Sequence, residues 1–229
     1  MLEINKIVKE YDRKVLDEIS FSVEKGTICG LFGLNGAGKS TLLKILCGLE
    51  KQNSGQILFD GKEIILGKYP KIGAMIESPC FFPNMTGYEN LKLLSYLKKD
   101  ITNESIKLAL KKVGLANKSN VLVKKYSLGM KQRLYFASAI IRNVDVLLLD
   151  EPFNGIDPIA LNTLELLIKE LANNGTTILI SSHEIRELQV LVDQVIFLDG
   201  GKIIFNKPSQ GLDIFNEFVS RVSNKGNVQ

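Results

Sequence analysis

The sequence has 229 residues, of which 45% are hydrophobic and 24% are charged, and its formal net charge is +4. This length and composition fit one large domain with a sizeable buried core, and they exclude disordered and fibrous classes. The charges form no block of one sign, so they give no indication of nucleic-acid binding.

The amino terminus scatters charges among apolar residues and lacks the apolar stretch of a secretory signal, so we expect the chain to stay in the cytoplasm. No segment reaches the ~20 apolar residues that span a bilayer, so we expect no direct membrane insertion. The three cysteines, Cys29, Cys47 and Cys80, have no close spacing and indicate reduced thiols.

Alternation near the amino terminus predicts antiparallel strands with one exposed face. Ile19, Phe21 and Val23 alternate with polar residues. Residues 56–59 are predicted to pair with Ile64-Ile65 across the turn Asp60-Gly61. Farther along, short apolar runs alternate with helical patterns, which predicts a mostly parallel sheet with crossover helices. The predicted fold is therefore an α/β core with a flanking antiparallel β-subdomain.

A glycine-rich segment, residues 33–41, lies between the apolar run 28–32 and the helical pattern 41–46, and it fits the phosphate-loop motif. Glycines let the backbone wrap closely around an anion, and loop N–H groups and the helix N-terminus point positive dipole ends at it. Lys39 is predicted to reach the β- and γ-phosphates, and the Ser40 hydroxyl to bind Mg²⁺. The predicted nucleotide-binding residues of this loop are Gly33, Asn35, Gly36, Ala37, Gly38, Lys39, Ser40 and Thr41.

Helical patterns dominate residues 86–140. Thr86 and Glu89 have capping-box spacing, and Gly114 follows an amphipathic stretch. Ser127 can cap a helix that starts near Leu128; its hydroxyl, the Gly129 N–H and the helix dipole would form a second anion site. We predict one domain over 1–229, with a core at about 1–76 and 141–229 and an inserted helical subdomain at about 77–140.

Two carboxylates follow the apolar run 144–149, which predicts a buried strand interrupted only by Asp145. Asp150 and Glu151 would lie at the carboxyl end of this strand, where open α/β sheets bind ligands. Alone, such a pair is more often a helix cap or a solvated turn. With the phosphate loop upstream, it predicts that Asp150 holds Mg²⁺ and that Glu151 orients or deprotonates the attacking water.

The carboxyl-terminal part continues the α/β pattern. Asp157-Pro158 predicts a helix N-cap and first turn, and the helix should run to about Asn173, with Gly175 ending it. Strands are predicted at 177–180, 195–198 and 203–205. His183, the only histidine, follows the first of these strands.

These motifs, and their order along the chain, resemble those of the ABC ATPase family over essentially the whole chain. The segment 126–133, which contains Ser127 and Gly129, is similar to the family signature. The resemblance implies a P-loop NTPase (RecA-like) core that hydrolyses ATP with Mg²⁺. It also implies a head-to-tail dimer in which Ser127 and Gly129 bind the γ-phosphate of ATP held by the other subunit.

Further roles follow from the same resemblance. His183 matches the switch histidine that contacts the γ-phosphate, and Asp157 matches the aspartate that crosses the dimer interface. Tyr11 fits the position of the aromatic residue that stacks on adenine, although a tyrosine on an early strand could simply pack. Lys39, Glu151 and His183 are the predicted catalytic residues, and Ser40, Glu77 and Asp150 the predicted metal ligands.

The resemblance also implies partners. The chain would form a homodimer or pair with a related ATPase subunit, and a separate membrane permease would hold it at the cytoplasmic face of the cell membrane. Two alternatives remain open at this point: an ABC ATPase coupled to a non-transport soluble process, and a regulatory module that binds ATP without hydrolysing it. Intact Glu151 and His183 argue against the regulatory module.

Glu77 stands where the family usually carries Gln, in the loop between the core and the helical subdomain. Together with the signature form 127–133 and the pair Asn154-Gly155, it resembles the branch that exports antimicrobial peptides, in bacitracin resistance and lantibiotic immunity. A carboxylate can bind Mg²⁺ but lacks the amide N–H donor, and it adds a charge near Asp150 and Glu151. We hypothesise that Glu77 still binds the metal and still reports the nucleotide state to the membrane partner, which are the roles implied for the usual Gln, and that the turnover of ATP is altered.

We predict that Glu77→Gln changes both the ATPase rate and transport, because it restores the amide donor and removes the extra negative charge. The measurement is the ATPase rate of the purified protein together with transport in cells. Identical rates and identical transport would remove this hypothesis.

Overall fold

The computed structural model describes residues 1–64, 70–78 and 80–223. These residues form a mostly parallel sheet, a smaller antiparallel sheet and the helices that cover them. The predicted domain ranges also include 65–69, 79 and 224–229, and the predicted hairpin includes Ile65; these positions lie outside the described residues. In the described part, no helix has both the length and the apolar character needed to cross a membrane.

The amino-terminal elements are β1 (Leu2–Glu10), β2 (Lys14–Val23), β3 (Ile28–Phe32), α1 (Lys39–Cys47), β4 (Ser54–Phe59), β5 (Lys62–Glu63) and β6 (Ile72–Met75). The middle of the chain forms α2 (Gly87–Leu97), α3 (Asn103–Lys112) and α4 (Leu128–Ala139), with short 3₁₀ turns at Ala116–Lys118 and Val123–Lys125. The remaining elements are β7 (Val146–Asp150), α5 (Pro158–Asn173), β8 (Thr177–Ser182), α6 (Ile185–Leu188), β9 (Gln194–Asp199), β10 (Lys202–Pro208) and α7 (Ile214–Ser223).

The two sheets confirm the predicted α/β fold with a flanking antiparallel sheet. The larger sheet has the order β10-β9-β3-β8-β7-β6, and its strands pair in parallel except for β9 with β10. The smaller sheet has the order β2-β1-β4-β5 and is antiparallel. Asp60 and Gly61 form the turn between β4 and β5 with φ values of 51° and 69°, which match the twist of a tight hairpin.

The central strands divide their side chains between two hydrophobic cores. In β3, Ile28 and Phe32 face one core, while Cys29 and Leu31 face the other, because successive side chains of a strand point to opposite faces. The first core is covered by α5, α7 and the helices between β6 and β7. The second contains α1 and the antiparallel sheet. Helix α1 is therefore packed by both sheets, which fixes the loop that precedes it.

Local signals place several helix ends where the sequence predicts them. Thr86 forms a capping box with Glu89: its hydroxyl accepts from the Glu89 N–H at 3.1 Å, and its own N–H donates to the Glu89 carboxylate at 2.8 Å. Helix α5 begins at Pro158 and ends at Asn173, as predicted.

Strand β7 begins at Val146 and not at Val144, so the predicted start of this strand is wrong. The Asp145 carboxylate accepts a hydrogen bond of 2.7 Å from the Lys71 N–H, which ties the chain just before the strand. The polar residue inside the apolar run is therefore part of the entry to the strand.

The carboxyl-terminal helix α7 packs on the sheet through aromatic side chains. The ring centroid of Phe197 on β9 lies 5.1 Å from that of Phe218 on α7 and 4.8 Å from that of Phe205 on β10. Phe32, the last residue of β3, lies 6.2 Å from Phe197. This cluster links the strand before the glycine-rich loop to the end of the fold.

We predict that Phe197→Ala lowers the free energy of unfolding by about 3–5 kcal/mol, because truncation of a buried phenylalanine leaves a cavity. Phe197 is fully buried, whereas Phe82 is 59% exposed, so Phe82→Ala is a matched control with an expected effect within about 0.5 kcal/mol. Urea unfolding of both variants gives the measurement. Equal losses would contradict the packing role of the cluster.

Candidate active site

The segment between β3 and α1 adopts a conformation that requires glycine. Gly36 and Gly38 have φ values of 81° and 105°, which place both in the left-handed region. A Cβ atom at Gly33 would lie 2.4 Å from the Leu198 carbonyl oxygen, so this position must approach β9 without a side chain. The loop backbone is thus bent tightly between the sheet and α1.

The glycine loop borders a cavity of about 450 Å³. Gly38 is the N-cap of α1 and gives the first turn no side-chain cap, so these N–H groups are available to an anionic ligand. The described residues that line the cavity are Arg13, Lys14, Val15, Asn35, Gly36, Ala37, Gly38, Lys39, Ser40, Thr41, Glu151, Gly200 and Gly201.

Lys39 provides a buried positive charge in this cavity. The residue is only 6% exposed, and its Nζ donates to the carbonyl oxygens of Gly33 at 2.7 Å and of Leu34 at 3.3 Å. Burial lowers the pKa of Lys39, while the negative charges of Glu151 and Asp150 oppose this shift. The ammonium group therefore lies close to both carboxylates at the edge of the loop.

Ser181 organises the two carboxylates at the end of β7. It lies opposite Asp150 in the parallel register, is fully buried, and donates its hydroxyl to Asp150 Oδ1. The Glu151 N–H donates to both the carbonyl oxygen and the Oγ of Ser181, each at 3.2 Å. Glu151 has a φ of 49°, a left-handed conformation that is costly for a non-glycine residue. The chain turns sharply here, and the Glu151 side chain lines the cavity.

His183 forms a hydrogen-bonded pair with Glu151. The distance from His183 Nδ1 to Glu151 Oε2 is 2.8 Å, and the hydrogen bond and charge of Glu151 raise the pKa of His183 above its ordinary value. The Nε2 atom lies 3.8 Å from a carboxylate oxygen of Glu184. The imidazole is 46% exposed, so this pair sits at an accessible surface beside the cavity.

Ser127, Gly129 and Asp157 lie together but do not line this cavity. The Ser127 hydroxyl caps α4 by accepting from the Met130 N–H at 3.2 Å. A Cβ at Gly129 would lie 3.2 Å from the Gly155 carbonyl oxygen, and the Leu128 side chain covers Gly155. The start of α4 thus packs on the loop that leads to Asp157, the N-cap of α5.

Glu77 and Tyr11 also do not line the cavity. The Glu77 carboxylate forms an ion pair with Lys44 of α1. The Tyr11 hydroxyl donates to Glu50, which raises the pKa of Tyr11 to about 12. The ammonium of Lys9 lies 4.6 Å from the centroid of the Tyr11 ring. The predicted metal and adenine contacts of these residues therefore stay predictions.

The polar groups near the loop suit a magnesium ion that is held partly by a substrate. Within the described residues, no three His, Cys, Asp or Glu side chains are placed to hold a metal on their own. Mg²⁺ is commonly bound by one or two carboxylates together with substrate phosphates and waters. Asp150 Oδ1 is taken by Ser181, which leaves Oδ2, and Ser40 adds a hydroxyl at the cavity wall.

Sequence reasoning missed six residues of the site: Ser181 beside the carboxylates, and the cavity-lining residues Arg13, Lys14, Val15, Gly200 and Gly201. Ser181 could have been found from strand register, because parallel pairing of β7 with β8 places it opposite Asp150. Arg13 and Lys14 come from the connection between β1 and β2 and from the start of β2, and no motif marks them.

The chain is similar to known proteins over most of its length. A family model described as "ABC transporter" matches residues 16–154. SrtF of Streptococcus pyogenes, a lantibiotic transport ATP-binding protein, is 40% identical over 221 residues, which cover 96% of each chain. BcrA of Enterococcus faecalis, a bacitracin transport ATP-binding protein, is 39% identical over 89% of this chain and 68% of that protein. A solved structure of an ATP-binding subunit of an ABC transporter matches with a TM-score of 0.85 at 25% identity, covering 97% of this chain and 99% of that one.

We predict that Glu151→Gln lowers the pKa of His183, because the substitution removes the charge that raises it. The Glu151–His183 interaction also makes the free energy of unfolding depend on pH. Because the folded-state pKa of His183 is higher than the unfolded-state value of about 6.5, the interaction stabilises the fold fully below the unfolded-state value, and this contribution is lost as the pH rises through the folded-state value. Because His183 is the only histidine, its NMR titration is unambiguous. Glu184→Gln, at the longer distance of 3.8 Å, should lower the midpoint less; an unchanged midpoint in Glu151→Gln contradicts the pairing.

Proposed function

The chain belongs to the ABC transporter family and is an ATP-binding subunit with ATPase activity, and we propose that it drives export of an antimicrobial peptide or a related hydrophobic compound. The observation that supports the cargo is the similarity to SrtF, a lantibiotic transport protein, across 96% of both chains. The similarity to BcrA, a bacitracin transport protein, supports the same class of cargo. Export of such a compound would protect the cell that makes or meets it.

The glycine loop would hold the triphosphate of ATP. The N–H groups of the loop and of the first turn of α1 would donate to phosphate oxygens, with the positive end of the helix dipole behind them. Lys39 now donates to carbonyl oxygens of its own loop, and it would exchange those contacts for β- and γ-phosphate oxygens. Gly33, Asn35, Gly36, Ala37, Gly38, Ser40 and Thr41 would complete the phosphate contacts.

Ser40 and Asp150 would hold Mg²⁺, which supplies positive charge against the phosphate oxygens when bound. Hydrolysis needs a base beside the γ-phosphate, and Glu151 fits because its side chain lines the cavity next to Lys39. Glu151 would accept a proton as water oxygen bonds to the γ-phosphorus, while the bond from phosphorus to the bridging oxygen breaks and ADP leaves. His183 would orient the Glu151 carboxylate through the 2.8 Å contact and face the γ-phosphate.

A second copy of the chain, or a related subunit, would complete the site. Ser127 is exposed and does not line the cavity of its own chain, which suits a contact with a nucleotide held by another subunit. Leu128 beside it is 65% exposed, which leaves an apolar surface for that contact. ATP would join the two subunits, and hydrolysis would separate them, since the γ-phosphate contacts differ between the joined and separated states.

A membrane permease would convert this movement into transport at the cytoplasmic face of the cell membrane. A cavity of about 460 Å³ beside Ile76 supports this partner, because its lining is largely apolar and it opens next to Leu97, which is 78% exposed. The predicted subdomain boundary falls at this place, since β6 ends at Met75 and the helices α2 to α4 follow.

We predict that Lys39→Ala and Glu151→Gln each lower the ATPase rate about a hundredfold or more, because each removes a charged group next to the phosphates. Glu170→Gln, a surface carboxylate that pairs with Lys112, serves as the control with an unchanged rate. A steady-state phosphate-release assay on the purified variants gives the measurement. Wild-type rates in both site variants would contradict the assigned roles.

The cargo is tested by capturing the permease and then measuring peptide resistance. Glu151→Gln should stabilise the ATP-joined dimer, so an affinity pull-down from detergent-solubilised native membranes with Mg-ATP should recover a polytopic membrane protein. Making this chain and that protein together in a sensitive host should raise the inhibitory concentration of bacitracin or a lantibiotic, and Lys39→Ala should abolish the gain. Recovery of soluble partners alone, or no resistance to either peptide class, would contradict peptide export while leaving the ATPase assignment intact.

A further inference from the structure

The segment that leaves β6 is held by a tyrosine of α4. The hydroxyl of Tyr135 accepts a hydrogen bond from the Ile76 N–H at 3.0 Å and donates one to the Ile76 carbonyl oxygen at 2.8 Å. One side-chain group thus satisfies both backbone groups of a buried residue. Without the hydroxyl, both would lose their partner, which costs more than an ordinary hydrogen bond contributes.

The next residue is held from the other side by α1. Glu77 forms an ion pair with Lys44, whose side chain is 24% exposed against 64% for Glu77. The backbone at Glu77 has a φ of 64°, an unfavourable conformation for a glutamate that the surrounding contacts must offset. This conformation directs the carboxylate toward α1.

The two helices that hold this segment are the two that begin at the proposed nucleotide contacts. Helix α1 begins at Lys39, at the end of the glycine loop, and α4 begins just after its cap Ser127. A shift of one helix relative to the other would therefore change the contacts of Ile76 and Glu77.

We propose that Tyr135 and Lys44 are positioning residues that fix the Glu77 segment to α4 and α1 at once, so that the segment responds to the relative position of these helices. This inference rests on the proposed function, in which a membrane permease contacts the chain at the cavity beside Ile76. Glu77 also gains a defined role, because its carboxylate engages Lys44 and holds the segment to α1. Tyr135 and Lys44 act through the segment and need not touch ATP.

A native cysteine reports on this arrangement in the protein without nucleotide. Cys47, at the end of α1, lines the same cavity as Ile76 and Tyr135, and burial raises the pKa of its thiol. Cys29 is buried, Cys47 is partly exposed and Cys80 is exposed. In a Cys80→Ser background, Cys47 is therefore the more accessible of the two remaining thiols, and its modification can be followed. Release of the segment should expose Cys47 and increase its reactivity.

The first test measures Cys47 modification by a thiol reagent in EDTA, with no nucleotide present. Tyr135→Phe and Lys44→Gln should each raise the rate about fivefold, because each removes one of the two attachments; the rate is expressed per thiolate, since the charge of Lys44 also lowers the pKa of Cys47. Tyr88→Phe removes a tyrosine hydrogen bond of 2.8 Å to Asn103, and Lys112→Gln removes an ion pair of 2.8 Å to Glu170 with similar exposure. These matched controls should stay within about twofold of the parent.

The second test asks whether Lys44 acts through Glu77. If the ion pair carries the effect, Glu77→Gln, Lys44→Gln and the double variant should raise the Cys47 rate by the same factor, because the second substitution removes nothing further. If the double variant instead shows the product of the two single factors, the residues act independently and the proposal fails.

The third test separates positioning from a general loss of stability. Tyr135→Phe should lower kcat for ATP hydrolysis about fivefold with KM for ATP within about twofold, since its hydroxyl touches the segment and not the phosphate loop. A lower melting temperature with unchanged kcat and an unchanged Cys47 rate would overturn the proposal. The thiol assay involves no transport, so its result stands apart from any failure of the peptide-export assignment.

Discussion

The central sheet is covered on both faces, and this constraint decides where the molecule can place polar chemistry. The middle residues of strands β3, β7 and β8 are apolar because each face packs into a hydrophobic core. Polar groups are tolerated only where the strands end, and parallel pairing brings those ends to one edge. Gly33 follows β3, Asp150 is the last residue of β7 and Ser181 is the second-last residue of β8. The glycine loop, the carboxylates and the histidine are adjacent because each lies at the carboxyl end of one of these strands.

Two glutamates at the exits of neighbouring strands share a left-handed backbone. Glu151 follows β7 and Glu77 follows β6 by two residues, with φ values of 49° and 64°. Strained backbone persists where surrounding contacts determine it, and such positions cluster at functional sites. Each glutamate is held by a cationic or protonatable partner, His183 in one case and Lys44 in the other. The same sheet edge therefore carries a residue assigned to hydrolysis and a residue assigned to coupling, built in the same way.

Local sequence signals were enough to predict much of this fold. The glycine loop, the capping box at Thr86 and the Asp157-Pro158 helix start all depend on neighbours in sequence, and the structure confirms the predicted conformations. The predicted start of β7 was wrong, because the hydrogen bond from the Lys71 N–H to the Asp145 carboxylate overrides the apolar pattern.

The contacts around the site were harder to predict, because they depend on pairing between residues that are distant in sequence. Ser181 becomes part of the site through strand register, and Tyr135 reaches Ile76 only because α4 packs beside β6. The partner of Glu77 could not be read from the motif, since the family pattern suggests a metal and the fold places Lys44 within reach.

The packing of Leu128 over Gly155 has a consequence for assembly. Gly155 has a φ of 72°, and a Cβ there would lie 2.4 Å from Leu128 Cδ2, so only glycine lets the start of α4 rest on this loop. This part of the proposed contact surface is therefore packed within a single chain. Ordering loops and side chains on association normally reduces affinity. A surface that is packed in advance would reduce this loss, and the proposed subunits would then join and separate without refolding the parts that meet.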